Sequence, residues 1–205
     1  MRLRENISVY AWSLSLLVAV LAFIAWGQGL HWHFSNLSSY RLFPLFGLLA
    51  FSLMWSIYIV GRARHYLKPP AKKLSNYYKY LSVTVLVLIL AHPGLLVWQL
   101  WRDGFGLPPT SYKNYVGPAA VWAVIVSSIA WFIFLAYELR RIYRDRPWWK
   151  YMEIAGDLAI VGIFLHSLRL GTNLQAGWFR IVWITYGLIL AVALFDIYRS
   201  KLRPS

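Results

Sequence analysis

The chain has 205 residues, 60% of them hydrophobic, and a mean hydropathy of +0.52, which is too apolar for a soluble domain and long enough for several membrane spans. Its formal charge of +14 invites a nucleic-acid reading, but the Lys and Arg residues flank apolar runs and build no separate basic face, so nucleic-acid binding is set aside. The absence of cysteine excludes disulfides, thiolate metal sites, iron–sulfur clusters and covalently attached c-type haem.

Six runs approach or exceed the roughly 18 to 20 residues that cross a bilayer core. They are Ile7 to Trp26, Leu42 to Val60, Tyr80 to Trp101, Ala119 to Tyr137, Met152 to Leu170 and Ile181 to Tyr198. The first follows Arg2 and Arg4 as a signal peptide would, yet Ala25-Trp26-Gly27 is a poor small-x-small cleavage site, so it is read as a span. One side of the bundle holds 16 of the Lys and Arg residues and the other holds 5, which predicts cytoplasmic termini. The expected fold is an all-α membrane protein, a single six-helix transmembrane bundle over residues 1–205 in contact with the lipid bilayer.

Between the first two spans, His31-Trp32-His33 reads as an interfacial aromatic loop, with a metal ion or an incoming acceptor as the alternative. The cytoplasmic stretch from Gly61 to Tyr80 is basic, turns at Pro69-Pro70 and suits anionic headgroups. The third span carries His92, followed by Pro93 and Gly94. Proline there frees the carbonyl four residues back, and a kink would aim the imidazole. The outer loop from Arg102 to Pro118 is rich in Gly and Pro and is expected to lie over the outer helix ends.

The fifth span repeats the plan of the third: aromatics and lysine first, then a long apolar run, then one histidine, His166. His92 lies 12 residues past Tyr80 and His166 lies 14 past Met152. At about 1.5 Å per residue, both sit roughly 18 to 21 Å from the inner edge. Two neutral imidazoles facing each other at one level are the usual way to hold a haem iron from both axial positions, and polar residues at that depth are costly. The plainer reading is two isolated histidines bonded to neighbouring helices.

Ala155, Ala159, Gly162 and His166 share one helix face, which suits either a groove for a flat macrocycle or close helix packing. Arg169 stands one turn nearer water than His166, while Arg102, Arg41 and Arg180 sit at other outer helix ends. All four are candidates for pairing with haem propionates, and snorkelling to the interface is the alternative. Glu153 and Asp157 lie in the inner half, with Asp157 about 180° around the helix from His166. Their expected partners are Lys79, Arg140 or Lys150. The sharper alternative is a proton path or quinone site. Glu138 and Asp196 are expected in the same charge belt.

Six spans with histidines on the third and fifth, LAHPGLL around His92 and FLHSLRLG around His166 resemble the ferric reductase-like transmembrane domain superfamily. That superfamily includes the membrane parts of NADPH oxidases and eukaryotic ferric reductases, and the haem subunit of bacterial methionine sulfoxide reductase systems. The resemblance implies one haem b nearer the outer surface, with His92 and His166 as its axial iron ligands. It implies a cytochrome b electron-transfer subunit of a bacterial cytoplasmic membrane that serves an outer-face acceptor. Two-haem members carry inner histidines 13 or 14 residues earlier, where this chain has Glu153 and Tyr78 or Lys79. No second haem is therefore expected, and Glu153 with Lys79 is expected to form an ion pair in its place. Neither a flavin nor a nicotinamide site is expected, which leaves a quinol or a redox partner protein as donor. Two readings of other classes stand beside this one: a proton-coupled carrier using Glu153, Asp157 and His166, and a haem-free membrane scaffold.

Overall fold

The computed structural model describes residues 2–175 and 177–202. Six long helices dominate: α1 (Ile7–Gly29), α2 (Ser39–Leu67), α3 (Ser75–Arg102), α4 (Val121–Tyr137), α5 (Trp149–Leu170) and α6 (Trp178–Leu202). Each belongs to a helical stretch long and apolar enough to cross a membrane, and no strand occurs among the described residues. The helices outrun the apolar segments expected from the sequence. α2 continues through Arg62, Arg64 and His65 before Lys68 turns left-handed at φ 43° ahead of Pro69-Pro70. Long basic side chains can extend a span in this way because their heads reach back toward water.

α2 is the central helix. Half of its apolar window is buried, against 11–28% for the other five. It packs along α1 on one side and α3 on the other, and it touches α6 more lightly. α4 and α5 form a second unit, a tightly packed hairpin. Close packing there depends on small side chains. A Cβ on Gly162 of α5 would stand 2.9 Å from Val126 Cγ1 of α4, and Ala159 is 3% exposed. The stripe of small residues thus serves helix contact, the packing alternative for that face.

Polar bonds supplement the apolar contacts. Ser15 of α1 meets Ser56 of α2 at 2.9 Å and Tyr77 of α3 at 3.1 Å, and all three residues are buried. Indole groups donate across the bundle, from Trp26 to the Arg41 carbonyl at 2.7 Å and from Trp55 to the Tyr186 carbonyl at 2.9 Å. Trp183 donates to Ser167 Oγ at 2.7 Å, tying α6 to α5. In hydrocarbon such bonds have no competition from water, although their measured contribution is often only about 1 kcal/mol.

Toward the N-terminal half of α5, Asp157 accepts from the hydroxyls of Tyr58 and of Tyr198, the latter at 2.9 Å. Phenols thus contribute to its neighbourhood, where the sequence suggested lysine or arginine. Glu153 lies within electrostatic reach of Tyr137 and Tyr198. Lys79 Nζ sits 5.8 Å over the Tyr80 ring. Asp196 does join a charge belt, bonded to Arg62 and Tyr66.

Candidate functional site

The three-helix layer and the α4–α5 hairpin leave a half-open cavity of about 1100 Å³ between them. His92 of α3 and His166 of α5 both line it. The sequence-derived pair is therefore brought to one chamber. Its wall is largely apolar, with Phe51, Met54, Ile89, Phe134 and Ile163 among its residues. A chamber this large reaches the upper end of the range for small-molecule and cofactor sites.

Each imidazole is fixed by the backbone of a neighbouring helix. His92 Nδ1 lies 2.7 Å from the carbonyl oxygen of Phe43 in α2. A carbonyl only accepts, so Nδ1 carries the hydrogen, and a neutral ring keeps its lone pair on Nε2. The approach is possible because residue 47 is glycine. A Cβ there would stand 2.7 Å from His92 Cε1 and 2.9 Å from Nδ1. His166 Nδ1 bonds in the same manner, at 3.0 Å, to the carbonyl oxygen of Ala123 in α4. Ala123 is itself small and fully buried, so the ring comes close to that helix as well. Hydrogen bonding of one ring nitrogen to a carbonyl, leaving the other free, is the arrangement that prepares a histidine to bind metal.

Pro93 follows His92 inside α3 and offers no N–H to the Ile89 carbonyl, four residues back. Trp131 Nε1 of α4 donates to that carbonyl at 2.9 Å. The carbonyl expected from the sequence to be free thus finds an indole as its partner.

The loop between α3 and α4 lies over the chamber, as its composition suggested. Leu107, Pro108, Tyr112 and Tyr115 all belong to the wall, and Tyr115 stacks on Tyr40 of α2 at 5.8 Å with 6° between planes. Burial pushes the Tyr112 and Tyr115 phenols up, so both remain protonated donors at neutral pH. Beneath the loop, the Gln99 amide bonds Asp103 at 3.0 and 3.1 Å. That amide, the Tyr40 hydroxyl and Arg102 at 3.8 Å hold the Asp103 carboxyl below its usual range.

The remaining sequence candidates lie off the chamber wall. Arg102 faces Asp103 and the Trp98 ring. Arg180 donates to the carbonyls of Leu174 and Gln175, both at 3.0 Å. The Arg169 carbonyl accepts from the Gln175 amide at 3.5 Å. Arg41 reaches the Ser35 carbonyl at 3.4 Å and lines a second, more polar cavity of about 480 Å³. This smaller cavity shares Tyr40, Pro44, Thr172 and Asn173 with the main one. Gly162 faces Val126 of α4, and Ala159 is buried outside the chamber wall. His31 and His33 are exposed and outside both cavities, in a loop where Trp32 covers Gly27 and contacts Phe34 at 6.2 Å.

Sequence reasoning did not anticipate Gly47, Phe43, Ala123 or Trp131. The one available signal was Pro93, which requires a donor for Ile89 without saying which residue supplies it. Among the described residues, no group of three or more His, Asp or Glu side chains is placed to hold a metal ion. Two imidazoles alone suit a metal that brings its other ligands with it, and the chamber has room for such a group. No protein-family model matches the chain, and neither a curated protein nor a solved structure does, so the reading of the site rests on its own chemistry.

Proposed function

We propose that the chain is a membrane cytochrome b subunit that holds one haem b between His92 and His166 and passes electrons to an acceptor at its outer face. The observation that carries this reading is the matched pair of imidazoles. Each is fixed through Nδ1 by a backbone carbonyl, each keeps Nε2 available, and both line one apolar chamber. Bound there, haem iron would supply one-electron transfer.

The chain's own residues have separate tasks in this scheme. His92 and His166 bind the iron. The Phe43 and Ala123 carbonyls orient the rings and raise their basicity as ligands. The apolar wall excludes water, and the outer loop with Tyr112 and Tyr115 covers the outer end. The hydroxyl-bearing side chains of Tyr40, Tyr112 and Tyr115 in the chamber wall supply polar surroundings for the haem carboxylates, while the arginines at the helix ends stand off that wall. The charge bias of the loops puts both termini in the cytoplasm, and the resemblance to ferric reductase-like proteins favours a bacterial cytoplasmic membrane. Electrons would arrive from a quinol within the bilayer or from a partner protein.

The test is a reduced-minus-oxidised absorption spectrum of the protein purified after expression with haem supply, beside His92→Ala and His166→Ala. A low-spin b-type spectrum in the wild type, lost in both variants, is the expected result. A folded wild-type protein without haem would refute the reading. One further observation favours a second function, a proton-coupled carrier: Asp157 sits within a spanning helix among the phenols of Tyr58 and Tyr198. Proton flux into liposomes that disappears in Asp157→Asn, without haem in the protein, would support it instead.

A further inference from the structure

From the geometry around Pro93 we infer that Trp131 is the positioning residue for His92, because its indole supplies the hydrogen bond that Pro93 removes from α3. The inference rests on the haem reading and adds a role for a residue that touches neither iron ligand directly.

Proline at position 93 leaves the Ile89 carbonyl without its helical donor, in a helix surrounded by apolar side chains and hydrocarbon. An unsatisfied carbonyl there is costly, and the helix would bend or wind differently to find a partner. Trp131 Nε1, 2.9 Å away on α4, meets that need. The bond lies less than one turn before His92, so it fixes the stretch of backbone from which the imidazole projects. α3 and α4 do not pack closely against each other, which makes this bond one of the few direct ties between them.

The same helix fixes the second ligand. Ala123, eight residues before Trp131 on α4, accepts from His166 Nδ1 at 3.0 Å. α4 therefore carries an acceptor for one histidine and a donor for the backbone of the other. It works as a gauge that sets the two imidazoles relative to each other, and the iron requires that relation to be right. Both Trp131 and Ile89 also line the chamber, so the tie sits at its wall.

The experiment is a double-mutant cycle between Trp131→Phe and Pro93→Ala. Replacing Pro93 with alanine restores a backbone N–H for the Ile89 carbonyl, so the indole is no longer needed. In the wild-type background, W131F is expected to speed haem loss to apomyoglobin about tenfold, the effect of one unsatisfied buried carbonyl. It is also expected to broaden or weaken the low-spin signature in the electron paramagnetic resonance spectrum. In the P93A background, W131F should leave both readouts within about twofold of P93A alone. A merely structural loss of ring volume would hurt both backgrounds alike. If W131F does not fold, benzothienylalanine at position 131 keeps the ring shape and removes only the N–H, and the same pattern is expected. A wild type that binds no haem overturns the haem reading and this proposal with it. A haem-loaded wild type in which W131F has no effect, or the same effect with and without Pro93, overturns the proposal alone.

Discussion

Gly47→Ala places one methyl group against the face of His92. The added carbon would lie 2.7 Å from Cε1 and 2.9 Å from Nδ1, while ordinary contact begins at 3.4 Å. The ring must therefore retreat by roughly 0.7 Å, or α2 must move away by that amount. Retreat lengthens the 2.7 Å bond to the Phe43 carbonyl toward the limit of a hydrogen bond. Overpacking costs about 1–3 kcal/mol and the weakened bond about 1 kcal/mol. Alanine returns about 1 kcal/mol through its helix propensity. Haem binding draws the ring back against the methyl group, so the overpacking term, centred on about 2 kcal/mol, sets a roughly 30-fold loss of haem retention. Because propensity offsets part of the strain before haem binds, the thermal midpoint of the haem-free protein should fall far less than haem affinity does. The assay is haem transfer to apomyoglobin followed by absorbance, with Gly61→Ala as control. At Gly61 on the same helix, a Cβ meets only Tyr78 Oη at 3.9 Å, so that substitution should leave haem affinity unchanged. Equal haem retention in Gly47→Ala and wild type would refute the argument that this glycine holds His92 in place.

Three further outcomes follow from the packing and the outer loop. Gly162→Leu should force α4 and α5 apart at Val126 and lower the thermal midpoint in detergent by several degrees, since a Cβ alone already reaches 2.9 Å. Tyr58→Phe removes a donor from Asp157 and should destabilise the fold by about 1–3 kcal/mol in denaturant titrations. The Asp103 carboxyl is held below its ordinary value first by the Gln99 amide, then by Tyr40 and Arg102. Its folded value is depressed, so its contribution is present above the unfolded value of about 3.9 and is lost as pH falls through the lower folded one. Thermal midpoints measured between pH 5 and pH 2 should therefore fall less steeply in Asp103→Asn than in wild type.

The six helices and the meeting of the two histidines were legible because each follows from local information: apolar length, and one histidine placed alike on each of two spans. The partners of those histidines were not. Phe43 and Ala123 act through their carbonyls, which every residue has, and Gly47 matters only because another helix crosses it. Pro93 lies between these cases, since its missing N–H is written in the sequence while Trp131 as its remedy depends on how α4 lies against α3. The four outer arginines illustrate the opposite limit. Long flexible side chains near helix ends have many acceptors within reach, and Arg180 and Arg102 meet loop carbonyls and Asp103. The phenols around Asp157 were equally hidden, because Tyr58 and Tyr198 come from spans far apart in the chain.

The hydroxyls of Ser15, Ser56 and Tyr77 bear on how α1 finds its place. Ser56 Oγ lies 2.7 Å from the Leu53 carbonyl and gives its hydrogen there, so it can only receive from its two neighbours. Lipid rewards no particular rotation or height of an apolar helix, since its tails are as oily as leucine. A slip of α1 by one turn moves Ser15 by about 5.4 Å and brings Ala11 or Ala19 to Ser56, stranding oxygen atoms on both neighbouring helices. The three hydroxyls thus act as a keyway for the first half of α1, and the Trp26 indole bond is its counterpart near the other end.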